Sequence, residues 1–63
     1  MAIFNNVRKV LAEKGISVSE FERGIGIQRG GFYKWENHEP SIYKVKAAAD
    51  YLGVSIDSLT KDE

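Results

Sequence analysis

Ser17-Val18-Ser19-Glu20-Phe21-Glu22-Arg23-Gly24-Ile25-Gly26-Ile27-Gln28-Arg29-Gly30-Gly31-Phe32-Tyr33-Lys34-Trp35-Glu36-Asn37 is the stretch that decides the fold. Ser17 to Glu20 read as a capping box: the Ser17 hydroxyl can accept from the backbone three residues on while Glu20 reaches back, so a helix begins at Val18. Phe21 and Ile25 supply its apolar face four residues apart, and Gly26, which tolerates positive φ, breaks it. Ile27 re-enters the core. Phe32 and Trp35, at i and i+3, then mark a third helix over about 28–37 with one narrow apolar edge and otherwise polar faces. Two helices joined by so tight a turn can cross steeply, leaving the second to protrude far enough to enter a groove about 12 Å wide.

Upstream, Phe4, Val7, Val10 and Leu11 recur at helical spacing while Asn5, Arg8, Lys9 and Glu13 point elsewhere, which predicts a first helix over 4–14 stopped by Gly15. Downstream, Pro40 ends a loop and Ser41 can cap a fourth helix with Ile42, Val45, Ala48, Ala49 and Leu52 on its apolar side and Gly53 as its stop. Ser55 can cap one further short turn whose Ile56 and Leu59 fold back, and 60–63 reads as a frayed tail. Valines, isoleucines and aromatics fall three and four apart, so strands are disfavoured. The expectation is an all-α, compact five-helix bundle: a single domain over 1–63 with a helix-turn-helix over 18–37. One core would hold Phe4, Val7, Leu11, Phe21, Ile25, Ile27, Phe32, Trp35, Val45, Ala48, Leu52, Ile56 and Leu59. Trp35 belongs to that core rather than to base stacking, because the third helix has little else to anchor it.

At 63 residues the chain supports one core, and with no cysteine it has neither a disulfide framework nor a cysteine zinc site. A single His, no Cys, no clustered carboxylates and no glycine-rich phosphate loop after a strand argue against an enzyme. No cofactor, metal or small-molecule ligand is expected. No apolar run approaches a membrane span, and the residues after Met1 do not read as a secretory leader, so a cytoplasmic protein is expected.

Nine basic residues balance nine acidic ones, which weakens the case for nucleic acid and predicts modest nonspecific affinity. The charge is local, however. From Arg23 to Trp35 the basic Arg23, Arg29 and Lys34 meet no acidic residue, whereas Asp50, Asp57, Asp62 and Glu63 oppose only Lys61. Phosphate binding depends on a basic face rather than a basic protein.

Taken together, Lys14-Gly15-Ile16-Ser17, Phe21, Ile25-Gly26-Ile27, Lys34-Trp35-Glu36-Asn37, Pro40-Ser41 and Leu52-Gly53-Val54-Ser55 resemble the helix-turn-helix domain of the Cro/CI-type phage repressor family, also called the XRE family. The resemblance covers about 3–60. The short loop and Tyr33-Lys34-Trp35 are further similar to repressors of low-GC Gram-positive bacteria and their phages. It implies a bundle of the lambda-repressor-like DNA-binding type and a transcriptional repressor of a bacterial or phage-infected bacterial cell. Such a repressor binds a pseudo-palindromic double-stranded operator as a homodimer, its recognition helices roughly 34 Å apart.

Carried over position by position, the resemblance turns Arg29, Gly30 and Lys34 toward the bases, with Tyr33 at the groove edge. Arg29 and Lys34 can both donate to guanine O6 and N7, Arg29 bidentately. Ser17, Gln28 and Asn37 are implied near phosphates, although Ser17 and Asn37 read equally as plain helix caps. Gly30 and Gly31 are either poor helix formers or a means of close backbone approach, and His38 is either solvated or at the DNA backbone.

Val18 departs from the family by standing where a phosphate-contacting glutamine is usual. Glu22 replaces a small alanine between the two helices and must reach solvent or find a partner such as Arg29 or Lys34. Leu11 replaces an arginine that often pairs at the position of Glu36. A homodimer, weak without DNA, is expected through Tyr51, Val54, Ile56 and Leu59. The rival reading is an antitoxin or protein-interaction module on the same fold, which salt dependence would separate from a DNA binder.

Overall fold

The computed structural model describes residues 2–62, and among them every regular element is helical. The order is α1 (Ile3–Lys14), α2 (Val18–Ile25), a 3₁₀ helix (Gly31–Glu36), α3 (Ile42–Leu52) and α4 (Ile56–Thr60). The starts are chemical. Ser17 accepts from the Glu20 amide at 3.1 Å while its own amide donates to Glu20 Oε1 at 3.2 Å, the reciprocal capping box. Ser41 accepts from the Lys44 amide and Ser55 from the Ser58 amide in the same way. These caps satisfy amide groups that a helix start otherwise leaves without partners.

α1 packs against the 3₁₀ helix and α4, and α2 packs against α3. The core contains the expected Phe4, Val7, Leu11, Phe21, Phe32, Trp35, Val45, Ala48, Leu52 and Leu59, together with Ile3 and Ala49. Ile25, Ile27 and Ile56 lie at its margin, partly buried. Phe32 is its hub: the ring stacks on Phe4 at 4.8 Å and meets Phe21 and Trp35 edge-on at 5.4 and 5.2 Å. Val18, which stands where the resemblance implies a glutamine, is partly buried against this core.

The third helix differs from its expected form. It is 3₁₀ rather than α-helical and starts three residues later, at Gly31, with 28–30 outside it. Gly30 causes this. Its φ of 83° and ψ of −7° are those of the third residue of a type II turn, and the Gly31 amide closes the turn on the Gln28 carbonyl at 2.8 Å. A residue in that conformation cannot continue an α-helix, so the helical path resumes only after it.

Other expectations also need correction. Ile42, placed on the apolar side of α3 but not in the expected core, is 59% exposed because it falls on the helix's outer side. The tail is tied down through Lys61, since the buried Asn6 donates from Nδ2 to the Leu59 and Lys61 carbonyls, both at 2.9 Å. Thr60 belongs to α4 and donates to the Ile56 carbonyl. Of the four tail residues, Glu63 lies outside the described residues. Leu59, expected at a dimer surface, is fully buried in its own chain, which leaves only Tyr51, Val54 and Ile56 there with apolar surface to offer.

Candidate nucleic-acid interface

α2 ends at Gly26, where the Ile27 amide closes back on the Glu22 carbonyl at 3.0 Å. Ile27 then drops against the core margin and the 28–31 turn projects beyond it. Arg29 occupies the second position of that turn, an exposed corner. The relation expected between Arg29 and Lys34 on one α-helix therefore does not hold; the two belong to different local structures. In a 3₁₀ helix, residues three apart eclipse one another. Phe32 and Trp35 accordingly share the inward edge, while Gly31 and Lys34 share an outer one on which Gly31 leaves no side chain in the way.

Glu22 is the group whose place sequence reasoning missed. It neither reaches solvent nor pairs with Arg29 or Lys34. It is 3% exposed, and its carboxylate accepts from the Gly30 amide through Oε1 at 3.1 Å and from the Phe32 amide through Oε2 at 3.0 Å. Charge-assisted bonds to two backbone amides compensate its burial. The acid-free stretch read from 23–35 thus has a carboxylate directly beneath it.

Two neighbouring depressions share Ile27. One is lined by Ser19, Arg23 and Arg29 above Glu22. The other is lined by Gln28, Gly31, Lys34, His38 and, from α3, Lys44, with Glu39 also on its wall. Gln28, Gly31, Lys34 and His38 are therefore brought together, and Arg29 stands beside them. Gly30, Tyr33, Asn37 and Ser17 line neither depression; all are exposed, Tyr33 at 57%. Ser17 spends its acceptor on the capping box and the Asn37 amide closes the 3₁₀ helix on the Lys34 carbonyl, so each caps a helix whatever else it does. Glu36, for which Leu11 offers no partner, is exposed.

Ser19, Arg23 and Lys44 were not singled out from the sequence as site residues. Arg23 carried a signal as part of the basic stretch. Lys44 had one in standing one turn past the Ser41 cap, the end of α3 that borders the loop.

Among the described residues, no helix is long and apolar enough to cross a membrane, and no cluster of three or more His, Asp or Glu could hold a metal ion. The model of the Cro/C1-type HTH DNA-binding domain family matches residues 6–63. No curated protein and no solved structure matches the chain.

Proposed function

The chain belongs to the Cro/C1-type HTH DNA-binding family, a family of DNA-binding regulatory domains and not of enzymes, and from that premise we propose that it is a sequence-specific repressor reading the major groove with the segment 28–37. Arg29, Gly30, Tyr33 and Lys34 face the bases in this reading; Gln28, Gly31, Asn37, His38 and Ser17 position the backbone. The observation that carries it is the convergence of Arg23, Arg29, Lys34, His38 and Lys44 on two adjoining depressions at the projecting turn. By contrast, Asp50 and Asp57 belong to the last turn of α3 and to α4. Glu22, tied to two backbone amides, and Glu39 are the acids at the depressions, where Arg23, Arg29, Lys34 and Lys44 outnumber them and give a neutral chain a basic face.

Side chains must supply the contacts there. In the first turn of the 3₁₀ helix the amides of Gly30 and Phe32 go to Glu22, that of Gly31 to Gln28 and that of Tyr33 to Gly30. None is left to cradle a phosphate as an open helix start would.

The molecule measures 26 × 24 × 17 Å, less than the roughly 34 Å of one DNA turn. Reading both halves of a pseudo-palindromic operator thus calls for two copies, and the small apolar area at Tyr51, Val54 and Ile56 suits a homodimer that forms on DNA. The regulator would act in the cytoplasm of a bacterial or phage-infected bacterial cell.

Fluorescence anisotropy of a labelled duplex, titrated at several salt concentrations, tests the reading. Affinity should fall steeply with salt, with a log-log slope of about −0.9 per phosphate neutralised. Absent or salt-independent binding would favour a protein-interaction module instead.

A further inference from the structure

We propose that Glu22 is a positioning residue for sequence reading: its buried carboxylate caps the 3₁₀ helix from α2 and fixes the turn that presents Arg29. The inference rests on the DNA-binding reading above and assigns a role to a residue that touches no DNA.

The segment that faces DNA is poorly able to hold itself. A 3₁₀ helix of six residues has inferior hydrogen-bond geometry and is too short to be stable alone. Its own N-cap is Gly30, which has no side chain with which to accept an amide. The 28–31 turn that leads into it places two glycines, Gly30 and Gly31, at its start, the residues with the most backbone freedom to lose. Glu22 supplies what is missing, one oxygen to the Gly30 amide and the other to the Phe32 amide. These two bonds bracket Gly31 and lock Gly30, the residue directly after Arg29, to a rigid capped helix. Phe32 in turn has its ring in the core, so one side chain ties α2, turn and core together.

The same two bonds have an electrostatic consequence. By holding a carboxylate beneath the depression lined by Arg23 and Arg29, they set a negative charge that opposes any phosphate there irrespective of sequence. Loss of Glu22 should therefore act oppositely on the two kinds of binding, weakening the specific kind by lowering the competent population while sparing or strengthening the nonspecific kind. A residue that served stability alone would lower both through the folded fraction.

The experiment compares the wild-type chain with Glu22→Gln, which keeps the shape but can accept only one of the two amides and turns an NH2 toward the other. Each is titrated with the duplex that the wild-type chain enriches from a random pool and with a scrambled duplex, while hydrogen exchange is followed at the Gly30, Phe32 and Val7 amides. Glu22→Gln should bind the enriched duplex about tenfold more weakly, bind the scrambled duplex no less tightly, and exchange faster at Gly30 and Phe32 but not at Val7. Should it fail to fold, Glu22→Asp, which keeps the charge but is too short to reach both amides, replaces it under the same criteria. Equal losses on both duplexes, or unchanged exchange at both amides, would overturn the role of Glu22 while leaving the DNA-binding reading standing. Absent or salt-independent binding of both duplexes by the wild-type chain would overturn that reading and this inference together.

Discussion

Among the described residues, Asn6 and Glu22 are the two buried polar side chains of the core, and each caps a short helix that lies far from it or across a turn. Asn6, on α1, donates from one amide nitrogen to the Leu59 and Lys61 carbonyls, more than fifty residues away in sequence, at the carboxyl end of α4. Glu22, on α2, accepts from the Gly30 and Phe32 amides at the amino end of the 3₁₀ helix. A donor sits where carbonyls are orphaned and a carboxylate where amides are, as the helix dipole favours. Five- and six-residue helices cannot nucleate themselves, and here a longer neighbour holds each. The difference lies in what is held. Asn6 closes the fold over the fully buried Leu59, whereas Glu22 steadies an exposed basic face, so the first should be felt in stability and the second in recognition as well.

The strongest challenge to this comparison removes the packing that both caps assist. Phe32→Ala or Trp35→Ala should each cost about 3 to 5 kcal/mol, close to the whole stability of a small domain. Circular dichroism should then show no cooperative melt; a retained melt would mean that the 3₁₀ helix is not built into the core. Next in size, Asn6→Leu keeps the site filled but strands two carbonyls, with an expected loss of about 1 to 3 kcal/mol in urea unfolding. Its affinity for DNA, measured well below the unfolding midpoint, should equal that of the wild-type chain. A weakened affinity would erase the division of labour between the two caps.

The glycine pair gives a smaller and sharper test. Nothing lies within 4 Å of where a Cβ on Gly30 would stand, so Gly30→Ala should cost about 1 to 2 kcal/mol through its left-handed backbone alone. Gly31 has no such constraint, and an added Cβ there would meet Gln28 Cβ and Ile27 Cδ1 at ordinary contact distances of 3.9 and 4.0 Å. Gly31→Ala should therefore be neutral or stabilise by up to about 1 kcal/mol. Opposite signs in parallel melts support the turn; two stabilising substitutions would restore the α-helix that the sequence suggests.

The regular parts of the fold were legible because their signals are local. The Ser17 to Glu20 box, the Ser41 and Ser55 caps, the glycine stops and the periodic apolar residues all act within a turn or so of where they stand. The irregular parts were not. Phe32 and Trp35 fit an i, i+3 edge in either an α- or a 3₁₀ helix, and nothing in Arg29-Gly30-Gly31 distinguishes a poor helix start from a type II turn. The amides that receive Glu22 lie eight and ten residues on, and the carbonyls that receive Asn6 lie at the other end of the chain. At the interface, Arg29 and Lys34 could be singled out by charge, but Lys44 joins them only because α3 brings its first turn to the same depression.

Whether a side chain carried on that turn reads DNA is measured most directly by selecting duplexes from a random pool with the wild-type chain and with Arg29→Ala, and sequencing both. The wild-type chain should enrich a pseudo-palindromic site with half-sites roughly one helical turn, about 34 Å, apart. Arg29→Ala should bind it about 1 to 3 kcal/mol more weakly and lose preference at one base pair in each half-site while keeping the others. Enrichment of the same site by both chains, with the same preference at every base pair, would contradict a reading role for Arg29 and the placement of the 28–31 turn in the groove.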